Sequence, residues 1–90
     1  MNQTARPQPV AGYQMEELDG EILLFHPASA RILHSNSSGL LIWKLCDGQR
    51  SVADICQLLS AAYPESAGQI EADVHQTLHA FRSYGALAWE

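Results

Sequence analysis

Residues 19–48 read DGEILLFHPASARILHSNSSGLLIWKLCDG, and the fold turns on this stretch. Asp19-Gly20 is a preferred type I′ hairpin pair, because both central residues of that turn need positive φ. Glu21–Phe25 (EILLF) sets an apolar run behind one charge and predicts a strand. Pro27-Ala28-Ser29-Ala30 supplies a second turn, since Pro27 has no N–H to give to a ladder. Arg31–Ser35 (RILHS) then predicts a third strand. Asn36, Ser37 and Ser38 are all capable N-caps, and the apolar run from Leu40 to Cys46 follows them until Asp47-Gly48. That helix is apolar nearly all round, so it is expected to be the central, most buried element.

Upstream, Met15–Leu18 is a weaker strand that pairs across Asp19-Gly20. Residues 1–12, with Pro7, Pro9 and Gly12 among polar neighbours, predict a flexible tail, and 13–90 the domain. Downstream, Ser51-Val52-Ala53-Asp54 resembles a capping box ahead of a helix that Pro64 stops. A third helix is expected from about Gln69 to Tyr84, with Ile70, Val74, Leu78 and Phe81 as its apolar stripe and Gly85 as its left-handed stop. Ala86–Trp89 can form a short return strand. The expected class is α+β: a three-stranded antiparallel sheet followed by three helices, a winged helix-turn-helix layout.

Ninety residues allow one small domain, and the formal charge of −5 excludes partners that demand positive charge. Ten Asp plus Glu against five Lys plus Arg oppose both nucleic acid and anionic membrane. The exposed face of the third helix, where a winged helix would read DNA, holds Glu71, Asp73, His75, Gln76, His79 and a single cation, Arg82. No apolar stretch approaches the roughly 20 residues of a membrane span. The N-terminus lacks the apolar run of a signal peptide, so a cytoplasmic location is expected. Cys46 and Cys56 form no CxxC pair and are expected to be small buried residues of a reduced protein.

Catalytic patterns are absent. There is no Gly-rich phosphate loop and no G-x-S-x-G elbow, so no enzyme and no cofactor is expected. His75 and His79 share a helical face with Glu71 one turn earlier, a possible zinc half-site, but this falls short of the ligand count that a metal needs. His26 and His34 flank the second turn and are expected to face each other across the hairpin. The informative feature is the sheet edge. The third strand carries no Pro and no Lys, and connectivity should bring the third helix beside it, leaving a groove that can take an extended peptide by strand addition. The return strand, the N-terminal tail or a second copy could cover that edge instead.

The chain also resembles a known family. Asp19-Gly20-Glu21, Asn36-Ser37-Ser38-Gly39, Ile42-Trp43-Lys44-Leu45-Cys46-Asp47-Gly48, Ser51-Val52-Ala53-Asp54-Ile55, Tyr63, Asp73-Val74 and Gly85-Ala86-Leu87 together are similar to the PqqD family over residues 13–89. These are small peptide chaperones first known from pyrroloquinoline quinone (PQQ) biosynthesis, within the wider group of RiPP recognition elements. The resemblance implies a winged helix that binds no DNA. It implies a non-catalytic protein that takes the leader segment of a precursor peptide as an added strand. That leader is presented to a modifying enzyme, often of the radical S-adenosylmethionine (radical SAM) class. On this sequence the peptide-binding strand would be Arg31, Ile32, Leu33, His34 and Ser35, and the helix wall Asp73, Val74, Thr77, Leu78 and Phe81. Trp43 would be a core anchor. The chain departs from the family pattern at Ser35, where Leu usually precedes the capping Asn, and that bears on the register of the groove. The alternative from a different class is an acidic winged-helix regulatory or dimerisation module, with a possible homodimer.

Overall fold

The structure, a computed structural model, describes residues 2–89. Five strands and three α-helices follow one another as β1 (Gln8–Pro9), β2 (Gln14–Leu18), β3 (Glu21–Phe25), β4 (Ile32–Ser35), α1 (Ser37–Leu45), α2 (Val52–Ala62), α3 (Ala67–Tyr84) and β5 (Leu87–Ala88), with a 3₁₀ turn at Pro64–Ser66. The expected meander is present as an antiparallel sheet of order β2-β3-β4, followed by the helices. Asp19 and Gly20 take φ of 54° and 78°, the positive values that a two-residue hairpin requires.

Strand β3 sits in the middle and turns Ile22 and Leu24 inward, both fully buried, while Glu21, Leu23 and Phe25 face outward. The core they enter is completed by Val52 and Ile55 of α2 and by Ile70, Val74, Leu78 and Phe81 of α3. Helix α3 is therefore the most deeply inserted helix. Helix α1, expected to be the central one, leaves Leu41 39% exposed and buries Gly39, Leu40 and Ile42. An apolar circumference does not guarantee burial where a short helix has neighbours on only part of it. Trp43 is partly buried and meets Phe81 edge to face, with ring centroids 5.4 Å apart.

Local signals set the helix ends. The Asn36 side chain accepts from the Gly39 N–H at 3.0 Å and caps α1. The Ser51–Asp54 capping box forms in both directions and starts α2. Gly85, at φ 101°, ends α3.

Two further expectations need correction. The N-terminal segment is not a loose tail: β1 pairs antiparallel with β5 (Gln8 opposite Ala88, Pro9 opposite Leu87). The carbonyls of Gln3, Ala5 and Pro7 accept from the N–H groups of Ala53, Val52 and Gly48 at 2.9–3.0 Å. Pro7 and Ala5 are buried. The prolines that suggested disorder remove donors which an edge segment does not need. The histidines flanking the second turn do not face each other either. His34 stands opposite Leu23, whereas His26 packs its ring edge against Tyr13 at 5.2 Å.

Candidate functional site

Strand β4 is the edge of its sheet on the side of α3, and the two elements diverge to leave a groove of about 370 Å³. One wall is Leu33, His34 and Ser35, continued by Asn36 and Ser38; the other is Asp73, Gln76, Thr77, Ala80 and Phe81. The far end is tied shut by Tyr84. Its hydroxyl lies 2.6 Å from the Arg31 carbonyl and 3.1 Å from that of Leu24, so the end of α3 holds the start of β4. The Arg31 guanidinium lies over the same ring, 5.1 Å from its centroid. Helix α3 thus runs opposite to β4, with Asp73 near Ser35 and Tyr84 near Arg31.

Of the ten expected site residues, Leu33, His34, Ser35, Asp73, Thr77 and Phe81 line this groove. The other four do not. Arg31 precedes β4 and is engaged by Tyr84. Ile32 is 66% exposed on the outer face, beside Leu23 and Phe25. Leu78 is sealed in the core, and Val74 is buried with its remaining surface turned to a neighbouring hollow. The expected wall mixed two faces of one helix. Positions 70, 74, 78 and 81 are the core stripe, whereas 73, 76, 77 and 80 form the adjacent stripe that faces the groove. The same spacing rule would have found Gln76 and Ala80.

Ser35 has a local reason. Its side chain lies directly over Gly39, so closely that a Cβ on that glycine would collide with it. A small residue at 35 and glycine at 39 let β4 run straight into α1. His34 Nε2 is 2.6 Å from Glu21 Oε1, an exposed pair bridging β4 and β3. Among the described residues Asp73 is the groove's only carboxylate.

Groups able to do chemistry are dispersed. Burial pushes the Cys46 thiol up to about 12, and its S–H donates to the Ile42 carbonyl. Partial burial raises Cys56 as well, helped by the nearby charge of Glu71. Backbone N–H groups of Gln49 and Arg50 hold Asp47 below the usual carboxylate range, and that of Ser51 does the same for Asp54. His75 contacts Gln3 at 3.2 Å, while His79 packs on Trp89. Among the described residues no three His, Cys, Asp or Glu side chains gather as a metal site. Arg82, the cation of α3, is stacked on Trp89 at 4.3 Å. No helix of the described residues is long and apolar enough to cross a membrane.

These features define a class: a small α+β, winged-helix-type domain whose open strand edge runs beside a helix. The sequence model described as Coenzyme PQQ synthesis protein D (PqqD) matches residues 21–87, and the chain belongs to this family. A relative from Xanthomonas axonopodis pv. citri (strain 306), named PqqA binding protein, is 36% identical over 83% of this chain and 85% of its own length. Among solved structures, TbiB1 in complex with the TbiA(beta) leader peptide superposes with a TM-score of 0.75 at 20% identity, covering 89% of this chain and 93% of that one. This second likeness establishes the fold.

Proposed function

We propose that this protein is a non-catalytic peptide chaperone of the cytoplasm. It takes the leader of a ribosomally made precursor as a fourth strand on β4 and presents it to a modifying enzyme of the radical SAM class. The observation that carries this reading is the uncovered β4 edge inside the groove walled by α3. An extended chain laid there would satisfy the outward main-chain groups of β4, and Asp73, Gln76 and Thr77 would meet alternate side chains. The relative named for binding PqqA and the leader peptide in the TbiB1 complex support the same chemistry.

The test is a titration of the ¹⁵N-labelled chain with PqqA and with the short peptides encoded beside its own gene. Amide shifts at residues 33–35 and 73–80 are expected. Silence there at high micromolar peptide would sink the proposal. Sedimentation velocity on the same samples separates leader binding from pairing of β4 with a second copy.

A further inference from the structure

The groove beside β4 does not stop at Asp73. Ser38 and Asp73 also line a second hollow, of about 260 Å³, between α1, α2 and the first half of α3. Ile42, Ile70 and Val74 form its floor and are buried. Leu41 and Tyr63 stand at its rim, 39% and 44% exposed. Large apolar side chains left in water around an apolar hollow mark a surface that gains free energy when covered. The volume lies below the roughly 300–1,000 Å³ of small-molecule sites. Among the described residues Asp73 is its only charged lining group, and its other polar groups are the hydroxyls of Ser37, Ser38, Ser66 and Tyr63. The space suits one bulky side chain delivered by a chain already bound next door.

Resting on the leader-binding reading, we infer that this hollow anchors a single aromatic or large aliphatic side chain of the leader, on the amino-terminal side of the segment paired with β4. The direction follows from the topology. Strand β4 runs from Ile32 to Ser35 and on into α1, so its Ser35 end adjoins the second hollow, while Tyr84 ties the Arg31 end. Every pairing in the β2-β3-β4 sheet is antiparallel. A strand extending it in the same sense enters at Ser35 and leaves toward Arg31. The leader residues before that strand must cross Ser38 and Asp73. There they have no strand to pair with, and the Asp73 carboxylate offers their N–H groups an acceptor.

The test uses the full chain, PqqA from the Xanthomonas axonopodis relative's organism, and versions of that peptide in which each bulky apolar residue in turn is alanine. Leu41→Asp and Tyr63→Ala, both at exposed rim positions, are expected to weaken binding about ten- to a hundredfold, the loss that goes with one apolar side chain. Shifts at 33–35 should persist at higher peptide concentration. Leu41→Met, which keeps the apolar bulk, should restore affinity. One alanine peptide should lose affinity for the unsubstituted protein and lose little more for Leu41→Asp, which identifies the anchor. Unchanged affinity in both rim variants, with 33–35 still shifting, overturns the subsite and leaves the leader reading standing. No shift at 33–35 in the unsubstituted protein removes both. A dimer that Leu41→Asp dissociates in sedimentation assigns the hollow to a second copy and overturns the subsite. Thermal melts accompany each variant.

Discussion

The sheet has two outer strands, and they are built differently. Strand β2 (QMEEL) is exposed along its length and carries Glu16 and Glu17 side by side. Strand β4 (ILHS) has no acidic residue, no Lys and no Pro, and it alternates exposed with half-buried positions. A second copy pairing antiparallel with β2 about its centre would set Glu16 directly against the other copy's Glu16, which disfavours the contact. Glu17 has Lys44 at 3.6 Å, so Glu16 carries more of that repulsion. Strand β4 lacks this guard because α3 stands beside it and limits what can approach. Charge protects one edge and confinement the other, and only the confined edge is open to a narrow extended chain.

The largest effect should come from what both edges share. Leu24 is fully buried in β3, the middle strand, opposite Met15 on one side and Leu33 on the other. Leu24→Ala is expected to cost about 2–5 kcal/mol in urea unfolding, a large share of so small a domain's stability. An unchanged midpoint would show that the edges do not hang on one core.

The next experiment makes β4 resemble β2. His34→Glu replaces the partner of Glu21 with a like charge on the edge itself. Peptide affinity measured by calorimetry should fall about tenfold, or about 1.4 kcal/mol. The melting curve should move by less than about 1 kcal/mol, because the pair is exposed. His34→Gln should keep most of the affinity, which separates charge from bulk.

The converse change, Glu16→Thr with Glu17→Val, strips the guard from β2. Stability should stay within about 0.5 kcal/mol. Light scattering should reveal concentration-dependent association that the parent protein does not show. A double variant as dispersed as its parent would mean that charge is not what protects this edge.

The smallest effect lies away from both edges, in the helix layer. Asp47 and Asp54 are held below their ordinary 3.8 by backbone N–H donors. A depressed folded value adds stability that is complete above the ordinary value and is lost as pH falls through the folded one. The denaturation midpoint should therefore be insensitive to these groups from pH 7 to about 5 and decline below about 4. Asp54→Asn should flatten part of that decline. If the decline is as steep without the carboxylate, the capping box is not its source.

Much of the architecture was legible in the chain because its signals are local. Asp19-Gly20, Asn36, the Ser51–Asp54 box and Gly85 each act within a few residues, and each marks an element end in the structure. What could not be read depends on distant partners. Gln8 and Pro9 form a strand only because Ala88 and Leu87 arrive to pair with them. Leu41 stays exposed because α1 is covered on one side alone. Half of the groove was legible, since β4 was placed as an open edge. The helix wall was confused because Val74 and Leu78 advertise themselves as apolar, whereas Gln76 and Ala80 do not. Hydropathy marks the face that packs inward and is silent about the face that meets a partner.

The pairing of Gln8 with Ala88 brings nearly the whole length of the chain round to meet itself. The domain is almost a closed ring, and neither terminal strand contributes a residue to the groove. A cross-link between β1 and β5 would cut the entropy of the unfolded chain while leaving the groove as it is. Such a link is therefore a route to a sturdier version of this scaffold with its recognition surface intact.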